Sequence, residues 1–359
     1  MPFDSNPLPE DYRAYLLKKR WVLGLLAAGL GVSIVLGLSL GGVPLSFHEL
    51  VNGLLKRPGS GQAGLILWSV RLPQVLAAVV AGGALAGAGA VMQSVLKNPL
   101  ASPFTLGISH AAAFGAAFSV VILGSSMGPA LKGFVRIPGS VFTAGCSLGF
   151  SLGTAGLIVG VAQRRSVTPE VMVLTGVAIG SLFTAGTMLL QFFADDAQLA
   201  AMVFWSFGDV ARVHWQGLGG VAFCTGMALL FFMKEAFFYN AMAAGDETAK
   251  GLGVAVERVR LMGMLAASFV TSVVISSVGI IGFVGLVVPH LTRRLLGEDH
   301  RFLLPGSALL GALILPLSDL VARLILLPHV LPVSICTAFL GAPAFLWILL
   351  KGKGGGCHA

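Results

Sequence analysis

With 359 residues the chain is long enough for two soluble domains, yet 56% of it is hydrophobic and only 11% is charged. Ordinary soluble domains carry about 25% charge, so the composition argues against them and for a polytopic membrane protein. The net charge of +8 would suit a nucleic-acid binder, but its distribution along the chain serves orientation in a bilayer instead, so no nucleic-acid partner is expected.

Residues 1–20, MPFDSNPLPEDYRAYLLKKR, are polar and are expected to form an uncleaved cytosolic arm, because a signal peptide has a shorter basic region and a small-residue cleavage site. A helix needs about 20 residues to cross the hydrocarbon core. Segments 21–40, 73–95, 105–124, 139–161, 171–192, 216–234, 261–281, 283–297, 303–324 and 332–350 meet or approach that length. The eighth is short with an ambiguous start, which leaves nine or eleven open beside ten. With the N-terminus inside and ten crossings, the outer side holds Lys56, Arg57, Arg71, Lys132, Arg136, Arg212 and Arg323, and the other sixteen of the 23 basic residues are cytosolic. That bias satisfies the positive-inside rule and puts both termini inside.

Within the second segment, AGGALAGAGA (81–90) has small side chains on nearly every face, which lets neighbouring helices approach closely and points to the centre of a bundle. KNPLASPFTLG (97–107) follows. Pro99 and Pro103 remove backbone donors, Asn98 and Ser102 are pushed away from helix, Ser102 or Thr105 is expected to cap the next helix, and Gly107 closes the stretch. In YNAMAAGDETAKGLGVAVERVR (239–260), Asp246 and Glu247 suit the start of a short helix that Gly251 or Gly253 ends, with Gly245 in front. An element that short must lean on something, either a partner protein or its own bundle. Pro289 and His290 interrupt an apolar run. His290 reads as a proton or substrate group, or equally as a neutral hydrogen-bonder near a kink. Asp319 and Arg323 are four apart and share a helix face, where pairing neutralises both.

The four cysteines, Cys146, Cys224, Cys336 and Cys357, form no close pair and predict neither a disulfide framework nor a metal site; Cys357 and His358 sit in a tail read as unstructured. KGKGGG near the C-terminus lacks the G-x-x-x-x-G-K-[ST] phosphate loop, and neither HExxH nor GxSxG occurs. No catalytic residue, cofactor site or enzymatic activity is therefore expected of this chain.

RLPQVLAAVVAGGALAGAGAVMQSVLKNPLASPFTLGIS (71–109), GDETAKGLGV, GFVGLVVPHLTRRLLGEDHRFLLPGSALLGA, SDLVAR and TAFLGAPAFLWILLKG occur in that order. Together they resemble the permease family for iron–siderophore, haem and vitamin B12 import, the membrane subunits of type II ATP-binding-cassette importers. The likeness runs from about residue 21 to 352. It implies an all-α bundle of ten helices over 21–350, a cytosolic tail at 351–359, and a homodimer with the path on its two-fold axis. It also implies two separate ATPase subunits, which bind ATP and Mg2+, and an external substrate-binding protein. On the same resemblance 235–260 is a cytosolic coupling segment. Its Gly245, Asp246, Glu247, Ala249, Leu252 and Gly253 face the ATPase, while Arg71 and Arg323 dock the binding protein. Asn98, Pro99, Pro103, Gly107, Pro289, His290 and Asp319 fall in structural or gating motifs.

Two positions depart from the family pattern. Gln74 stands where the second Arg of R-L-P-R is common, and Val330 precedes Leu331-Pro332 where E-L-P is frequent. An iron chelate is the expected cargo, with a corrinoid or an oxyanion as alternatives within the class. A secondary transporter is the remoter alternative, since no half-to-half repeat is evident.

Overall fold

The computed structural model describes residues 10–43, 45–55, 61–124, 138–165 and 167–351. Lys56, Arg57, Lys132, Arg136, Lys353, Cys357 and His358 lie outside the described residues, so the outer-face basic count rests on sequence for four of its seven members.

The described residues form an all-helical protein. In chain order the helices are α1 (Glu10–Ser39), α2 (Phe47–Leu54), α3 (Gly61–Val95), α4 (Ile108–Gly124), α5 (Gly139–Arg165), α6 (Pro169–Phe193), α7 (Asp196–Ser206) and α8 (Trp215–Lys234). They continue as α9 (Ala236–Ala243), α10 (Asp246–Gly251), α11 (Val256–Val278), α12 (Val284–Leu296), α13 (His300–Leu324) and α14 (Val333–Lys351). Seven of these, α1, α3, α5, α6, α8, α11 and α13, are long and apolar enough to cross a membrane. Each of the ten apolar segments lies on a helix; α4 and α14 are shorter apolar helices, and α12 has 13 residues.

The second half of the expected polar arm is helical. Helix α1 starts at Glu10 and runs unbroken into the first apolar segment, because EDYRAYLLKKR contains no Gly or Pro and is rich in helix formers. Three short helices, α2, α7 and α9, lie outside the ten apolar segments. Those at Phe47–Leu54 and Asp196–Ser206 carry capping boxes, Ser46 with Glu49 and Asp195 with Gln198, a signal that the sequence does contain.

Helix α3 is the hub of the bundle, packed chiefly on α13 and also on α11, α12 and α8. Its alanines and glycines from Ala81 to Ala90 are all buried. Where α3 crosses α13, a Cβ on Gly82 would collide with the Gly311 carbonyl, and one on Gly311 with the Gly82 carbonyl. A Cβ on Gly89 would strike the carbonyl of Gly285. That carbonyl lacks its usual intrahelical partner because Pro289, four residues on, has no N–H to offer. Close backbone contact of this kind supplies the packing that lipid solvent cannot drive.

The bundle has two polar ends. One gathers the 96–107 corner, α9, α10 and the α12–α13 turn, tied by contacts such as His290 to Pro99 and Asn240 to Asp299. The other gathers residues 40–43, 45 and 46, Arg71, the 207–214 segment and the end of α13, tied by contacts such as Trp215 to Trp68 and the backbone bond from Asp209 to Val278.

A stapled helix, a capped far end and the candidate coupling surface

The corner end is built around Arg260. Its side chain is 3% exposed, on the first turns of α11. Nε donates to the Val95 carbonyl at 2.8 Å and one Nη to the Val167 carbonyl at 2.8 Å. The other Nη meets Asp246 at 2.7 Å. One guanidinium thus joins the end of α3, the entry to α6 and the start of α10. Lys97, at φ +46 in the corner, adds a second ion pair to Asp246 at 2.9 Å. Burial pushes the Asp246 carboxyl up, but the hydrogen bonds and charges of Lys97 and Arg260 outweigh it and hold the group below the ordinary carboxylate range.

Through these two ion pairs Asp246 anchors α10 to the bundle. The reason is that a six-residue helix cannot hold itself, so its first residue is spent on the bundle. Gly245, at φ +119, makes the turn that aims it there, and Ala249 is buried beneath. Glu247 instead points out, paired with Lys250 at 3.2 Å on the exposed side. Leu252 is 71% exposed, and Gly253, at φ +81, turns the chain back. The helix therefore presents Glu247, Lys250 and Leu252 outward on a base that is fixed from three sides.

The proline corner packs on the same assembly. Asn98 Oδ1 accepts from the Leu100 N–H at 2.9 Å, and Thr105 Oγ1 accepts from the Ser102 N–H at 2.9 Å. Ser102 and Thr105 therefore close a turn of their own, not the first turn of α4, which starts at Ile108 after Gly107 at φ +75. Gly107 packs against Gly176 and Gly180 of α6, where a Cβ would not fit. His290 Nε2 lies 2.8 Å from the Pro99 carbonyl, which can only accept, so this nitrogen carries the proton. His290 thereby pins the corner to α12.

Next to it a polar chain runs from Ser94 through His300 and Asn240 to Asp299. Ser94 Oγ is 2.6 Å from His300 Nε2, His300 Nδ1 is 2.8 Å from Asn240 Oδ1, and Asn240 Nδ2 donates to Asp299 at 2.9 Å. Burial raises the Asp299 carboxyl, but Arg301 and Asn240 dominate and bring it to about 2. A depressed carboxylate contributes stability that is complete above its unfolded value of about 3.9 and vanishes as pH falls through its folded value. Thermal unfolding of detergent-solubilised protein should therefore lose stability between about pH 4 and pH 2. Asp299→Asn should flatten that part of the profile while unfolding earlier at pH 7; an unchanged profile would remove this role.

At the far end lie Arg71 and Arg323, the two arginines expected to dock a binding protein. Arg71 is 5% exposed and Arg323 is 7% exposed; neither offers a free charge. Arg71 donates to the carbonyls of Leu38 at 2.7 Å, Ser39 at 2.9 Å and Val43. The last carbonyls of α1 have no intrahelical donors, and Arg71 supplies them. Arg323 pairs with Asp319 at 3.0 Å and leans on the Gly37 carbonyl. Gln74 Nε2 reaches both Asp319 oxygens, at 3.0 and 3.2 Å. The departure at Gln74 is thus absorbed by a neutral donor to a shared carboxylate. Arg212 repeats the capping device on the carbonyls of Trp205 and Phe207. Arg71→Ala should cost on the order of 3 kcal/mol, since hydrogen bonds from charged donors contribute about 1.5–3 each when buried. A lowered melting temperature checks this; wild-type stability would contradict it.

Among the described residues no group of His, Cys, Asp and Glu could hold a metal ion, and Cys146, Cys224 and Cys336 are free. Long apolar helices, a close-packed hub and a small helix fixed at one polar end have the form of a polytopic helical membrane protein. The chain belongs to the FecCD transport family, whose profile matches residues 29–351. An ABC transporter permease protein of Methanocaldococcus jannaschii is 48% identical, over 96% of this chain and 98% of its own. The hemin transport system permease protein HmuU of Yersinia pestis is 34% identical, over 94% and 97%. The vitamin B12 import system permease protein BtuC of Vibrio cholerae is 38% identical, over 85% and 89%. A solved metal-chelate type ABC transporter in an inward-facing conformation matches with a TM-score of 0.80 at 28% identity, covering 92% of this chain and 99% of that one. The chain is a permease subunit of an ATP-binding-cassette importer, a component whose ATPase activity resides on separate subunits.

Proposed function

We propose that two copies of this chain form the translocation path of an iron-chelate importer, with both termini and the corner end in the cytosol. The ATPase subunits, which bind ATP and Mg2+, dock on the outward side of the 245–253 segment at Gly245, Glu247, Leu252 and Gly253, over the buried Ala249, and an external binding protein delivers substrate at the opposite end. The observation that carries the coupling role is the Arg260 staple. Two cations hold Asp246 at 2.7 and 2.9 Å, and Arg260 also holds the Val95 carbonyl, so a load placed on the outward residues of α10 reaches α3 and α11. Support for the chelate comes from the haem and metal-chelate transporters among its relatives. The spans also hold few ionisable side chains, which suits a weakly interacting passage with specificity in the binding protein. A corrinoid is the competing cargo, given the vitamin B12 relative.

Uptake into proteoliposomes holding permease, ATPase and the cognate binding protein tests the cargo. Ferric siderophore or haem should accumulate, and cobalamin should neither accumulate nor compete. Preferential cobalamin uptake would overturn the chelate assignment. Leu252→Asp should weaken ATPase binding by about tenfold, as loss of an apolar contact at an interface centre commonly does. Unchanged affinity would take Leu252 out of the docking surface.

A further inference from the structure

Beside the stapled helix lies a cavity of about 420 Å³ whose lining includes Ser94, Lys97, His290, Arg293, Glu298 and His300. Arg293 is the unusual member. Arg260, Arg301 and Arg323 each hold an aspartate, but among the described residues no carboxylate pairs with Arg293. Its side chain donates to the neutral Gln93 Oε1. A guanidinium has five donors in a planar fork that matches a carboxylate with two parallel bonds, so most of its capacity is unused. Lys97 keeps donors to spare beyond its bond to Asp246.

We propose that this cavity receives an acidic side chain carried by the ATPase subunit, which closes on Arg293 as a bidentate pair. The inference rests on the reading that the 245–253 surface meets that subunit. Two observations favour a carboxylate from that protein. The cavity wall includes Met242 and Ala243, just ahead of Gly245 in the chain, and Lys97 joins the cavity to Asp246, so a protein seated on α10 stands beside the cavity. Lys97, Arg260 and Arg293 against Asp246 and Glu298 leave one positive charge on the cavity wall and its anchor, which a single carboxylate balances and a phosphate dianion overshoots.

Two variants with opposite signs test it. Permease in nanodiscs of zwitterionic lipid is titrated with the purified cognate ATPase subunit across a salt series. Arg293→Glu should weaken binding by about tenfold or more at low salt, with the difference shrinking as salt rises. Glu298→Gln, which removes the acid that competes for the pocket, should tighten binding by roughly twofold or more. A folded Arg293→Glu protein with wild-type affinity, or Glu298→Gln with unchanged or weaker binding, would overturn the pocket assignment alone. Failure of the wild type to bind the ATPase would overturn the coupling reading together with it. An effect of Arg293→Glu that appears only when anionic lipid is added would make the occupant a headgroup phosphate and overturn the proposal.

Discussion

Arg260→Ala is expected to leave a folded permease that still binds ATPase but transports at least about tenfold more slowly per ATP hydrolysed. The substitution removes the donors to the Val95 and Val167 carbonyls and one of the two cations on Asp246. Removing one partner of a buried pair costs about 3–5 kcal/mol because the other charge stays buried. Here the lower part of that range applies, since Lys97 remains at 2.9 Å and Asp246 is 28% exposed. The loss falls on the joint between α10 and the bundle, so the helix should follow the ATPase without carrying α3 and α11 with it. Simultaneous measurement of uptake and hydrolysis in proteoliposomes checks this. An unchanged ratio of transport to hydrolysis would show that α10 needs no staple.

Gly89→Val should prevent assembly of the bundle. The added side chain must enter the space of the Gly285 carbonyl, and backbone on both sides leaves nothing flexible to move aside. Ordinary overpacking costs about 1–3 kcal/mol; a clash between two helix backbones at the hub should exceed it and abolish monodisperse protein in detergent. Gly153→Ala is the control, because nothing lies within 4 Å of the position a Cβ would take there. Size-exclusion profiles and melting temperatures separate the two. Full yield and stability for Gly89→Val would contradict the close crossing of α3 and α12.

How much of this could be read in the chain follows from range. The hub was legible because AGGALAGAGA is a local pattern with one physical meaning, close approach. The short helix at 246–251 was legible for the same reason: acidic residues at its start and glycines at both ends are local signals. The Asp319–Arg323 pair follows from spacing alone. What could not be read was which partner each charge takes across the fold. Asp246 looks solvent-facing until Arg260 and Lys97 arrive from other elements. Arg71 looks like a surface charge until the carbonyls that end α1 come within 2.7–2.9 Å of it. Gln74 looks like a lost charge until Asp319, 245 residues away, is beside it. Polar groups near helix ends are satisfied by whatever the packing delivers, and packing is not a local property of sequence.

The most direct measurement is uptake by the reconstituted permease with and without its ATPase subunit, under imposed ATP or an imposed ion gradient. Accumulation of the ferric chelate that requires both ATP and the ATPase subunit, and ignores proton and sodium gradients, is the expected result. Gradient-driven accumulation by the permease alone would contradict the assignment.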